Sequence, residues 1–202
     1  MREKRVSQSN VLVKECIVTA LLKLIYTKPL SAITISELCE KAGVSRMSFY
    51  RNYESKEEIF KKRLEEIFEE YRKDSEREHK KYLDIEYKSD SETQHKNVMH
   101  TYKDKGIFYD EKHMTHYLEY LLKYKEFMKG LVYCGFGNIF LEMINDYMCD
   151  LWGYAADKYT LYAFSGALYN TFNLWSQRGY NEDGKKLAMN LARMFAGSER
   201  KQ

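Results

Sequence analysis

Three helix-start signals fall within residues 33–56, ITISELCEKAGVSRMSFYRNYESK, and they leave little freedom in how this stretch can fold. Thr34 followed by Glu37 is a capping box, in which the hydroxyl accepts from the backbone N–H three residues on and the carboxylate reaches back. Ile33 and Leu38 stand at the spacing of a hydrophobic staple, so a helix begins at about Ile35. Gly43 ends it early, because glycine takes the left-handed conformation without a Cβ penalty. Ser45 then caps a second helix, with Val44 and Phe49 again at staple spacing, and Ser55 with Glu58 opens a third. Two short helices joined by a Gly-Val-Ser turn make a helix-turn-helix.

In such a motif the second helix lies in the DNA major groove with its first turn toward base edges. Ser45, Arg46, Met47 and Ser48 occupy that turn, and Phe49 points back into a small core. Arg46 has the fork to contact guanine O6 and N7, and Met47 suits a thymine methyl. Thr34, Ser36, Tyr50, Asn52 and Lys56 are placed for phosphates, which fix register and carry no sequence information.

Thr34-Ile-Ser-Glu-Leu, Ala42-Gly-Val-Ser, Ser48-Phe-Tyr and Tyr53-Glu-Ser-Lys-Glu-Glu together resemble the TetR family of one-component transcriptional regulators, over about residues 11–64. The resemblance implies that Tyr50 and Lys56 hold phosphates and that positions 45–47 read bases. Two departures are visible: Asn52 stands where the family usually has an aromatic or histidine, and Tyr53 where it usually has Phe.

A single proline, Pro29, and 10 glycines in 202 residues leave long uninterrupted stretches, which favours an all-α chain. The apolar spacing predicts a first helix from residue 8 or 9 to 26, a connector from about 55 to 82, and later helices over 111–125, 126–133, 138–152, 158–178 and 183–195. Polarity rises and the period fades over 84–105, which reads as a loop. This gives a three-helix DNA-binding domain over residues 1–56 and a helical-bundle regulatory and dimerisation domain over 57–202. Residues 1–56 carry ten Lys or Arg against five Asp or Glu, a balance of +5; with +3 overall, the remainder holds −2. That polarity is the footprint of a DNA-binding head on a near-neutral body. Arg2, Lys4 and Arg5 are placed to form a basic arm, or simply a disordered terminus.

No run of about 18 apolar residues is present to span a membrane, and the charged start lacks the apolar stretch of a signal peptide. The four cysteines, Cys16, Cys39, Cys134 and Cys149, have no CxxC spacing and read as reduced core thiols, so a cytoplasmic location is expected. His113 and His116, three apart, share a helix face and with Glu111 are candidates for a metal or acid–base cluster, yet no catalytic spacing, P-loop, GxSxG or HExxH occurs; no enzyme activity, cofactor or metal is expected.

The later helices are rich in aromatic residues. Tyr117, Tyr120, Tyr133, Phe136, Phe140, Trp152, Tyr169 and Phe172 are candidates for lining a small-molecule cavity, or are ordinary packing. The helix over 158–178 is apolar nearly all round and needs cover on every side. One helix-turn-helix reaches few base pairs, so a homodimer on palindromic double-stranded DNA is expected. The TetR resemblance implies that the last two helices pair with their twins and that a small ligand shifts the spacing of the recognition helices, most simply releasing a repressor. A body that binds a protein partner in place of a ligand is the alternative.

Overall fold

The computed structural model describes residues 2–87, 111–153 and 156–196, and among these every regular element is helical. In chain order they are α1 (Arg2–Ile25), a 3-10 turn (Leu30–Ala32), α2 (Ile35–Ala42), α3 (Arg46–Tyr50), α4 (Lys56–Tyr87), α5 (Glu111–Leu122), α6 (Lys125–Tyr133), α7 (Gly137–Trp152), α8 (Lys158–Gln177) and α9 (Gly184–Ala196). The all-α architecture expected from the sequence, a helix-turn-helix followed by a helical body, is what the chain adopts. Helix α1 starts at Arg2, several residues before the expected point, since nothing in REKRVSQSN breaks a helix. Most of the stretch expected as a loop, with His95 and His100, lies outside the described residues, as do the side chains of Arg2, Lys4, Arg5, His79 and His113. Among the described residues no helix is long and apolar enough to cross a membrane.

The chain divides into two compact units, one of Met1–Ile67 with Glu126–Gly137, the other of Phe68–Lys125 with Asn138–Gln202. In the first, α1 packs on α2 and α3. Ile17, Leu21, Ile25, Ile33, Leu38, Phe49, Tyr53, Ile59, Phe60 and Leu64 are buried and form its core. Full burial of a side chain such as Phe49 or Phe60 stabilises by about 1.5–3 kcal/mol. Three ion pairs tie α1 to the first turns of α4 or stiffen that tie: Lys14 with Glu66 at 2.6 Å, Arg63 with Glu15 at 2.7 Å, and Arg63 with Glu66 at 3.3 Å.

Residues 126–137 complete this unit although they lie far along the chain. Phe127, Met128 and Leu131 are buried, and Phe60 meets Phe127 and Phe136 at 6.0 and 5.1 Å between ring centroids. Gly130 lets the helix approach α1 closely: a Cβ there would lie 2.7 Å from Leu22 Cδ2 and 2.9 Å from Ile25 Cδ1.

The second unit is built from the rest of α4 with α5, α7, α8 and α9, in which α9 lies against α5 and α8. Leu118, Phe140, Ile144, Leu161, Phe164, Leu168, Phe172, Trp175, Ala188 and Leu191 fill its centre. Asp157 caps α8 by accepting from the backbone N–H of Tyr159 and Thr160. The helix stops at Gly179, as its position in the sequence predicts, with φ +70°. The turn that follows is fastened by the Trp175 indole N–H donating to the Glu182 carbonyl at 3.0 Å.

Candidate nucleic-acid interface

The helix-turn-helix is assembled from local hydrogen bonds that the sequence dictates. The Thr34 hydroxyl accepts from the Glu37 N–H at 3.2 Å, opening α2. The Glu37 carboxyl is held below its ordinary pKa, chiefly by the hydrogen bond from Lys28 and in smaller part by that lysine's charge and the Thr34 N–H. At the other end Gly43 adopts φ +66° and ψ 30°, and two bonds close the helix: Gly43 N–H to the Glu40 carbonyl at 3.1 Å and Val44 N–H to the Cys39 carbonyl at 3.0 Å. This is a Schellman closure. Ser45 Oγ then accepts from the Ser48 N–H at 3.0 Å and starts α3 only two residues later.

Helix α3 has five residues, so packing and not its own ladder sets its direction. Phe49 is its buried anchor, edge-on to Tyr50 at 5.4 Å and tilted on Tyr53 at 5.9 Å. That leaves Arg46, Met47 and Tyr50 outward, and Met47 is 68% exposed, a high value for a large apolar side chain with no core to join. Thr34, Ser36 and Ser45 are also exposed, and Ser48 is partly covered, its hydroxyl 2.9 Å from that of Ser45. Two of the nine expected DNA contacts, both assigned to phosphates, sit differently.

Asn52 is only 7% exposed, and its amide donates to the Ser48 carbonyl at 2.9 Å, so it closes the end of α3 from inside. Lys56 is half-buried, and its ammonium donates to the Ile33 carbonyl at 2.6 Å and the Ser31 carbonyl at 3.2 Å. A third N–H of the ammonium remains for another acceptor. Sequence reading passed over Arg51, whose exposed guanidinium lies 3.6 Å from Met47 Sδ. The i, i+4 spacing from Met47 was the available signal.

The expected cavity aromatics fall in two places. Tyr133 is 66% exposed and stacks obliquely on Tyr26 at 5.6 Å, while Phe136 packs on Phe60; both belong to the first unit. Tyr133 is therefore a surface residue and not a buried lining. In the second unit, Phe140 contacts Tyr169 at 5.5 Å and Phe172 at 6.0 Å, and Trp152 is half-buried. Tyr117 and Tyr120 surround Tyr71 at 5.8 and 5.1 Å. The Tyr117 hydroxyl is buried with no hydrogen-bond partner among the described residues, and burial, then the nearby Tyr147, pushes its pKa well above that of a free phenol. Tyr120 is raised too, by burial first and then by Tyr124, and its hydroxyl faces Glu70. His116 stacks on Tyr71 at 5.4 Å with Nε2 3.5 Å from Asp74; among the described residues no group of three His, Cys, Asp or Glu is placed to hold a metal ion.

A capped short helix held by one aromatic anchor, with arginine and methionine outward at its first turn, is the recognition element of a helix-turn-helix DNA-binding domain. Residues 17–62 match the family model described as bacterial regulatory proteins, tetR family. Over these residues the chain has the helix-turn-helix DNA-binding region that this family model describes. Across the whole chain the fold is similar to the crystal structure of Lin0861 from Listeria innocua, at 15% identity and a TM-score of 0.61, covering 94% of this chain and 92% of that one. No curated protein matches the chain.

Proposed function

We propose that the protein is a ligand-responsive repressor that binds a palindromic duplex as a homodimer and is released by a small molecule held in its second unit. The observation that carries the reading is the outward first turn of α3, with Arg46 for base edges and Met47 for a thymine methyl, on a positively charged domain. Ser45 and Ser48 share that turn, while Thr34, Ser36, Tyr50 and the free N–H of Lys56 supply phosphate contacts, and Arg51 joins them.

Pairing of two copies is supported by one face of α8. Tyr159, Tyr162, Ala163 and Leu174 are exposed there, Tyr159 by 90%, and a Cβ built on Gly166 would meet nothing within 4 Å. With Met194 exposed on α9, this is an apolar strip with a small residue at its middle, suited to close approach of a twin helix. For the ligand, the support is the Tyr117 hydroxyl together with the Asn145 Oδ1, both buried in the second unit and without a hydrogen-bond partner among the described residues. Native interiors rarely leave such atoms unsatisfied. A ligand that reverses DNA binding must prefer one conformation of the dimer over the other.

The test begins with selection of a duplex by the purified chain from a randomised pool, followed by fluorescence anisotropy and sedimentation. The expected result is a selected sequence with two-fold symmetry and a protein that sediments as a dimer at micromolar concentration. A monomer, or a selection that returns no sequence preference, overturns the proposal.

A further inference from the structure

Around the link between α3 and α4, one side chain closes a circuit that neither the sequence motif nor the comparisons assign. The Lys62 ammonium donates to the Asn52 carbonyl at 2.8 Å and pairs with Glu58 at 3.0 Å, and it lies 5.8 Å from the centre of the Tyr53 ring. Glu58 in turn accepts from the Glu54 N–H, and the Asn52 amide donates to Ser48 inside α3. The path from Glu54 through Glu58, Lys62 and Asn52 therefore ends on the recognition helix.

On the other side of the motif, Lys56 holds the Ser31 and Ile33 carbonyls just before the Thr34 cap of α2. Residues 56 and 62 are six apart on one helix, about 240° around its axis, so the two ammonium groups leave α4 on different sides. One grips the start of α2 and the other the end of α3. A cation at the very start of α4 opposes the helix dipole, and its two carbonyl partners account for its being tolerated.

We infer that Lys62 is a positioning residue for DNA recognition: with Phe49 as the apolar pivot, its bond to the Asn52 carbonyl fixes the roll of α3 about its axis. Loss of that bond leaves Phe49 seated and the core intact, but frees α3 to turn Arg46 and Met47 away from their base edges. The inference rests on the DNA-binding reading above. It differs from a phosphate contact in its consequence, since a positioning group affects the chosen sequence and not DNA in general.

The experiment compares wild type with Lys62→Met and Lys62→Arg. Each binds the duplex selected by the wild-type chain and a scrambled duplex of equal length, between 50 and 200 mM salt, with circular-dichroism melting recorded in parallel. Lys62→Met is expected to lose about tenfold in affinity for the selected duplex and under about twofold for the scrambled one, with an unchanged salt slope. Lys62→Arg, which keeps the charge and the donors, is expected to restore the selected duplex to within about twofold. An equal loss on both duplexes with the slope falling by about one unit makes Lys62 a phosphate contact and overturns the inference. So does unchanged affinity with a lowered melting temperature, which is a structural role alone. If Lys62→Met is unfolded at the assay temperature, Lys62→Gln takes its place under the same criteria. A wild-type chain that selects no duplex removes the DNA-binding reading itself, an outcome separable from failure of the variants.

Discussion

Gly43 sets a quantitative test of the turn, because its backbone is in the left-handed region while the space around it is open. Its φ is +66°, and a Cβ added there would meet nothing within 4 Å. A substitution at this site therefore costs conformational energy with no steric term. An L-residue in that region costs about 1–2 kcal/mol, so Gly43→Ala is expected to destabilise the motif by about 1 kcal/mol once the reduced freedom of the unfolded chain is set against it. Gly43→Asn should cost less, because asparagine tolerates this conformation, and Gly43→Val more, because branching at Cβ narrows it further.

Tryptophan fluorescence is a poor probe here, since Trp152 and Trp175 both belong to the second unit. Native-state hydrogen exchange at the Gly43 and Val44 amides, bonded to the Glu40 and Cys39 carbonyls, reports the closure directly. The expected order of protection is Gly, Asn, Ala, Val. Equal protection in Gly43→Ala and wild type, or Asn below Ala, would refute the conformational argument.

Three further outcomes follow from the same geometry. Arg46→Ala should relax base preference at one position of the selected duplex and cost about 1–3 kcal/mol there, whereas Lys56→Ala should weaken all duplexes, lower the salt slope by about one unit and also speed exchange at the start of α2; anisotropy on matched and mismatched duplexes separates them. The Glu58 carboxyl is held below its ordinary value near 4.5, first by the Glu54 N–H and then by Lys62. The stabilisation is therefore complete above that value and is lost as pH falls below it; urea midpoints measured from pH 7 downward should drop there, and less so in Glu58→Gln. Burial raises the phenols of Tyr53, Tyr71, Tyr117 and Tyr120, so absorbance titration at 295 nm should show these four of the 18 tyrosines un-ionised while the chain stays folded.

The start and stop of helices were legible in this chain where the signal is local. Thr34, Ser45 and Ser55 each accept the backbone N–H that their spacing assigns, and Gly43 and Gly179 end α2 and α8 in the left-handed conformation. These bonds span three to five residues, so the sequence alone contains both partners. What α6 packs against was not legible. Phe127, Met128 and Leu131 announce an apolar face, but nothing in their spacing says that it meets Phe60 and α1. Gly130 was the one hint, since a helix interior that accepts the cost of glycine often has a close neighbour. Tyr133 was misplaced for the complementary reason: an aromatic residue in an apolar helix is read as buried, yet it sits on the face of α6 opposite that packing.

The two polar residues that turned inward, Asn52 and Lys56, share a cause that can be argued from helix length. A helix leaves its last four carbonyls without intrahelical donors. In α3, with five residues, that is nearly the whole element, and the 3-10 turn before α2 has the same deficit. Amide and ammonium groups near such ends are drawn to the orphan carbonyls before they are free for DNA: Asn52 to Ser48, Lys62 to Asn52, and Lys56 to Ser31 and Ile33. Spacing places a polar residue near a phosphate path, but the tally of unfilled carbonyls decides which of them must close the motif. Around α3 this tally leaves Arg46 and Met47 outward at the first turn, where sequence preference should be sought first, and Tyr50 and Arg51 outward at its end, where they are left for phosphates.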